Sequence, residues 1–206
     1  MMTIEEKLTI PSDGYQLEGL WHCAAGDRGV IITHPHSLYG GTMHNPVVEV
    51  IKGVYRQNGY ATLRFNFRGV GGSQGDYDNG KGEQNDVRAA IAAVQARGIS
   101  EVALAGYSFG AWVNARLIAK DPIAIGSMLM ISPPVGFVEF GDVGTLDSLE
   151  LVVSGNRDDI APEEQIRVLM SNWNPHAHLE IIDGCDHFYV GYFDKLKSIL
   201  TTYLQK

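Results

Sequence analysis

Three residues of this 206-residue chain have types and an order that suit nucleophilic acyl chemistry. Ser108 stands at the centre of Gly106-Tyr107-Ser108-Phe109-Gly110, Asp158 follows Gly155-Asn156-Arg157, and His187 follows Gly184-Cys185-Asp186. A serine hydroxyl is a weak nucleophile near neutral pH unless a neighbouring base takes its proton, and an imidazole serves best when a carboxylate holds its tautomer. Small residues two places either side of a serine let a strand turn sharply into a helix while the serine stays exposed. The new helix directs its free amides and positive dipole end back at that serine, and the Phe109 N–H can meet an oxyanion. Each residue taken alone also has a plainer explanation. A G-x-S-x-G pentapeptide can be an ordinary strand-to-helix turn, an aspartate before a helix can be a cap, and a loop histidine can simply be solvated. Their joint occurrence at strand ends makes Ser108 the candidate nucleophile, His187 the base and Asp158 the orienting acid. Asp159 lies next to Asp158, and adjacent residues of an extended loop point in opposite directions, so only one of the two can face His187.

Positioning such groups needs a rigid frame, and the periodicity supplies one. Lys7–Ile10 and Tyr15–His22 form two strands around the turn-forming Pro11-Ser12-Asp13-Gly14, a hairpin at a sheet edge. Continuous apolar strands then alternate with helices. Val30–Ile32 precedes a helix over Pro46–Gln57, and Ala61–Phe67 precedes a helix with apolar positions Val87, Ala90, Ile91 and Val94. Val102–Ala105 leads into Ser108 and a third helix. Strands follow at Ser127–Ile131, Leu149–Ser154 and His178–Ile182, with helices at Pro162–Asn172 and Tyr192–Leu204. Apolar strands without polar alternation are covered on both faces. The expected architecture is α/β: a doubly wound, mostly parallel sheet of about eight strands, with an N-terminal antiparallel hairpin, in one domain over residues 1–206.

Ligands of such sheets bind beyond the carboxyl ends of the strands. Every loop expected there is polar or glycine-rich: Thr33–Gly41, Arg68–Gly75, Gly155–Pro162 and Asp183–Phe188. Gly69-Val70-Gly71 after a strand resembles a dinucleotide fingerprint, but Gln74 stands where the third glycine belongs and no helix opens at once. His34, His36 and His44 have no carboxylate or cysteine among them at ligand spacing, which favours packing and polar bridging over a metal. Cys185 reads as a small buried filler. Cys23 and Cys185 are the only cysteines and suggest no disulfide framework. A formal net charge of -8 repels a phosphate backbone, so nucleic acid is not expected as a partner. No apolar run approaches the roughly 20 residues that span a bilayer. The start Met1-Met2-Thr3-Ile4-Glu5-Glu6 has acids where a secretory signal has a basic start, so the cytoplasm is the expected compartment.

With these motifs in place, the sequence resembles the small, lidless serine hydrolases of the α/β-hydrolase superfamily, akin to dienelactone hydrolase. The resemblance runs from about residue 6 to the C-terminus. It rests on His34-Pro35-His36-Ser37-Leu38-Tyr39-Gly40-Gly41, on Leu63 to Ser73, on the pentapeptide around Ser108, on Gly155 to Pro162 and on Asp186-His187-Phe188. It implies a triad of Ser108, Asp158 and His187, and its spacing of a glycine, two residues, then the acid selects Asp158 over Asp159. It also implies an oxyanion hole made from the Phe109 amide and an amide of His36, Ser37 or Leu38. Dienelactone hydrolase itself uses a cysteine nucleophile, so its substrate is not implied. No cofactor and no metal are expected. The expected activity is hydrolysis of a small carboxylic ester or thioester, with lactonase or small-substrate peptidase as alternatives, and a non-catalytic binding protein on the same fold as the alternative from another class. Only Ser132–Ser148 separates two late strands, too short for a cap domain. A shallow open site is therefore expected, with Tyr39, Phe137 and Phe140 touching the substrate. A homodimer is compatible with these features.

Overall fold

The computed structural model describes residues 5–121 and 123–205. Eight strands form one sheet in the order β1-β2-β4-β3-β5-β6-β7-β8. They are β1 (Glu6–Ser12), β2 (Tyr15–His22), β3 (Arg28–Thr33), β4 (Ala61–Phe65), β5 (Glu101–Tyr107), β6 (Ser127–Ile131), β7 (Leu149–Gly155) and β8 (His178–Ile182). The hairpin β1–β2 is antiparallel and joins β4 antiparallel, while the strands from β4 to β8 run parallel. Five helices cover the sheet: α1 (Pro46–Gln57), α2 (Gly82–Gln95), α3 (Phe109–Lys120), α4 (Glu163–Trp173) and α5 (Phe193–Leu204).

The two faces explain the unbroken apolar strands. Ile31, Val102 and Leu104 point into a core closed by Val87 and Ile91 of α2, Val113 and Leu117 of α3, and Ile166 and Trp173 of α4. Val30, Ile32, Ala103 and Ala105 point into a second core closed by Val48 and Ile51 of α1 and by Leu196 and Leu200 of α5. Alternate residues thus feed opposite cores, and neither set can be polar. The expected strand over Ala61–Phe67 stops at Phe65. Asn66 turns its side chain across the strand end, accepting from the Met43 amide at 2.8 Å and bonding Glu18. Among the described residues no helix is long and apolar enough to cross a membrane.

Two polar devices fasten the loops that follow the strands. Arg68, three residues after β4, is buried and holds both oxygens of the fully buried Asp86 of α2, with Nη2 at 2.8 Å and Nε at 3.1 Å. The Arg68 backbone amide and the Ser12 hydroxyl add bonds of 3.0 and 2.7 Å to the same carboxylate, and Arg68 also reaches Asp13 in the hairpin turn. The glycine-rich stretch after β4 is therefore a loop pinned to α2 and to the hairpin. His34, after β3, is the second fastener. Its Nε2 accepts the Phe67 amide at 3.0 Å, so the ring proton sits on Nδ1 and is donated to the Pro35 carbonyl at 2.7 Å. Both nitrogens of a fully buried, neutral ring are thus engaged, and burial pushes its pKa down to about 4.

Each device predicts a stability change. Asp86→Ala leaves the Arg68 charge buried without its main partner and should lower the unfolding free energy by about 3–5 kcal/mol. Asp13→Asn removes the charge of a largely exposed contact while keeping a side chain that tolerates the positive φ of this turn, and should cost at most about 1 kcal/mol, both read from urea midpoints. For His34 the unfolded chain gains a proton below about pH 6.5 while the folded chain does not until about pH 4. Stability should accordingly fall across that window as pH drops, by about 1.4 kcal/mol per pH unit from this group. In His34→Gln, urea unfolding measured from pH 7 to pH 4 should lose this component of the slope. An unchanged slope would contradict the assignment.

Candidate active site

The turn from β5 to α3 determines where Ser108 sits. Ser108 adopts φ 53° and ψ -119°, outside the regions open to most side chains, and its amide donates to the Ile131 carbonyl at 2.9 Å. The turn closes only because its flanks carry no side chain. A Cβ on Gly106 would lie 2.5 Å from the Ala111 amide nitrogen, and one on Gly110 would lie 2.6 Å from the Thr33 carbonyl oxygen. The carbonyl of Ser108 accepts the amides of Ala111 and Trp112, which starts the helix without a side-chain cap.

Three loops converge on this turn. His187 Nε2 lies 2.9 Å from Ser108 Oγ, and His187 Nδ1 lies 2.9 Å from each oxygen of Asp158. All three side chains are buried. Asp158 Oδ1 also accepts the amides of Ile160 at 3.0 Å and Ala161 at 2.8 Å, at the entry to α4. Burial alone would raise its pKa, but hydrogen bonds and charge from His187, together with the Ser132 hydroxyl and the Ala161 amide, outweigh that and hold the carboxyl below its ordinary value. Asp159 is exposed and outside this network. A carboxylate on Nδ1 leaves the proton-free Nε2 facing the serine, the tautomer a general base needs.

Residues that carried no motif hold His187 in place. The Tyr107 hydroxyl donates to the His187 carbonyl at 2.7 Å. Tyr189, fully buried at φ 59°, places its hydroxyl 2.8 Å from that of Ser132, itself at φ 43°, and 3.3 Å from the Val153 carbonyl. Tyr107 lies inside the serine pentapeptide, yet an aromatic there carries no signal of its own. Cys185 is fully buried and burial pushes its thiol up to about 11, so it stays protonated and fills space.

The expected oxyanion residues separate. The Phe109 amide, at the first turn of α3, has no backbone acceptor among the described residues. In the loop after β3, Ser37–Tyr39 form a turn of 3-10 helix capped by the His36 ring, whose Nδ1 takes the Leu38 amide at 3.3 Å. The Leu38 amide is therefore committed, and neither Ser37 nor Leu38 borders the cavity over Ser108, whereas His36 does. Of those three residues, only His36 borders the cavity together with Phe109. His44 is exposed, His34 is consumed internally, and among the described residues no group of three or more potential metal ligands is assembled.

The cavity over Ser108 measures about 420 Å³ and is bounded by Tyr39, Phe109, Pro134, Phe137, Ile160 and Phe188, among others. Tyr39 and Phe137, two of the three expected substrate contacts, border it. Phe140 does not: it is buried against Trp173 of α4, ring centroids 5.1 Å apart, and belongs to the core. The Ser132–Ser148 segment contains no helix, and its Pro134, Phe137 and Val138 border the cavity. A second hollow of about 560 Å³ lies at the opposite, amino-terminal ends of β5 to β8, bordered by Glu101, Glu150, His176 and His178, and does not reach Ser108.

Known proteins agree with this architecture. A family model for X-Pro dipeptidyl-peptidase of the S15 family matches residues 19–147. An uncharacterized protein from Rickettsia prowazekii is 36% identical over 201 residues, covering 92% of this chain and 84% of its own length. An α/β serine hydrolase homologue from Coxiella burnetii is 33% identical, with 99% of both chains covered and a TM-score of 0.90. A lidless α/β serine hydrolase from Xanthomonas campestris is 30% identical, covering 100% of this chain and 95% of its own, with a TM-score of 0.88. The serine turn, the uncapped sheet and a family match over more than half of the residues together make the chain an enzyme of the S15 family, a lidless serine hydrolase of the α/β fold.

Proposed function

We propose that this chain cleaves a small carboxylic ester or thioester through an acyl-enzyme on Ser108. The observation that carries the proposal is the unbroken line from Ser108 Oγ through His187 to Asp158, set under an open apolar cavity. Ser108 Oγ attacks the carbonyl carbon as His187 Nε2 takes its proton, and the oxygen turned negative is met by the amides of Phe109 and His36. Collapse expels the alcohol or thiol, which leaves with the proton held by His187. Water then repeats the sequence on the acyl-enzyme, releasing the acid and restoring Ser108. Asp158 remains ionised throughout, because its amide donors and His187 stabilise the charge.

The name of the matching family points to peptides with a free amino terminus. Binding an ammonium group calls for a nearby carboxylate or a cluster of carbonyl acceptors. None of the residues bordering the cavity is aspartate or glutamate. That composition supports an ester as substrate over a dipeptidyl unit.

Ser108→Ala should abolish labelling by a fluorophosphonate probe and lower kcat for a p-nitrophenyl ester by several orders of magnitude, with the melting temperature nearly unchanged. Labelling equal to that of the unmodified protein would remove Ser108 from the mechanism. Asp158→Asn should lower kcat by up to about 10⁴-fold by imposing the wrong imidazole tautomer, whereas Asp159→Asn should leave it within about twofold. The reverse pattern would make Asp159 the acid.

A further inference from the structure

The substrate class can be narrowed from the walls of the same cavity, an inference that rests on the ester reading above. Seven large apolar side chains are exposed among the described residues, and three of them, Tyr39, Phe137 and Phe188, border the cavity over Ser108. Tyr39 is 74% exposed, Phe188 62% and Phe137 55%. Apolar surface concentrated at one place on a water-facing protein marks a surface that something apolar covers.

The arrangement of the rings says what fits. His36 lies at the base, its centroid 4.7 Å from Phe109, 4.9 Å from Tyr39 and 6.2 Å from Phe137. Tyr39 and Phe137 are 6.0 Å apart and steeply inclined to each other at 72°. Across the serine, Phe188 stands edge-on to His187 at 5.8 Å. A flat ring entering between these walls meets faces and edges at once, the offset and edge-to-face geometry in which aromatic rings attract beyond simple burial. A cavity of roughly 150 Å³ holds one benzene ring. The volume here, about 420 Å³, accommodates a ring together with the ester and a short second arm.

Charge is excluded by the same walls. No Asp, Glu, Lys or Arg borders the cavity, and burial lowers the pKa of His36, which stays neutral at pH 7. A charged group on the ring would lose hydration here without gaining a partner. We infer that this site takes uncharged aryl esters, with the ring held against the wall formed by Tyr39, Phe137 and His36.

Two matched pairs of esters test this, each pair sharing its reacting bond. Methyl 3-phenylpropanoate is compared with methyl 3-cyclohexylpropanoate, and 2-phenylethyl acetate with 2-cyclohexylethyl acetate. The flat ring should be preferred in kcat/KM by roughly two- to tenfold in at least one pair, which also tells whether the acyl or the alcohol half occupies the slot. Methyl 3-(4-carboxyphenyl)propanoate and 2-(4-carboxyphenyl)ethyl acetate should each react at least about tenfold more slowly than the uncharged aryl ester of its pair. In Tyr39→Leu and Phe137→Leu, both at exposed positions, the phenyl-to-cyclohexyl ratio should fall to about one. A ratio at or below one in both pairs, a ratio unchanged in both variants, or equal rates for the carboxylated esters would overturn the aryl inference while leaving the ester reading intact. Absence of turnover on all of these esters by a protein whose Ser108 still takes a fluorophosphonate would overturn the ester reading itself.

Discussion

One backbone constraint governs the site: the chain must reverse from β5 into α3 within a single residue, and Ser108 pays for that reversal with a positive φ. The reversal is possible because α3 can press against the ends of β5 and β3, where Gly106 and Gly110 present hydrogen rather than Cβ. The strands are held in register on either side by parallel pairing of β5 with β3 and β6. Ser108 is thereby fixed at the middle of the sheet's carboxyl edge, where the loops after β3, β7 and β8 can reach it. A side chain on either glycine would move α3 away from the sheet and take the Phe109 amide with it.

Strain is not confined to the serine. Five non-glycine residues among those described have positive φ. Asp13 and Asn79 lie in turns, where short polar side chains tolerate that conformation. The other three, Ser108, Ser132 and Tyr189, surround the Asp158–His187 pair, and the last two bond each other through their hydroxyls. Unfavourable backbone at these points persists because the packing around it determines the chain path several times over. The Tyr107 bond to the His187 carbonyl adds a rigid tie from β5 itself. The imidazole is consequently held by two independent routes, one to its backbone and one to its ring.

The same economy of loops shapes specificity. A fold without a helical lid bounds the cavity over the nucleophile with the loops that follow its strands, and here no Asp, Glu, Lys or Arg borders that cavity. Chemistry is common to the many serine hydrolases of this fold, so selectivity has to come from the side chains that border the cavity. The larger hollow at the other ends of the strands is bordered by Glu101, Glu150, His176 and His178 and does not include Ser108.

Much of the fold was legible in the sequence, because apolar runs that feed two cores repeat at short spacing and turn residues punctuate them. Ser108, His187 and the acid loop stood out for the same reason: each lies at the end of a recognisable strand. Where a loop side chain points depends on contacts far along the chain, and there the sequence was silent. Phe137 and Phe140 look alike in an apolar run, yet only the position of Trp173 on α4 draws Phe140 into the core. The Leu38 amide resembles its neighbours until the His36 ring folds over it. Arg68 meets Asp86 across 18 residues, and Tyr189 meets Ser132 across 57. The sequence by itself determined the alternation of strands and helices and which residues were candidates for the chemistry, since both follow from local residue type and spacing. The tertiary structure alone decided which amides, rings and carboxylates face Ser108, since that depends on how distant segments exclude one another from the same volume.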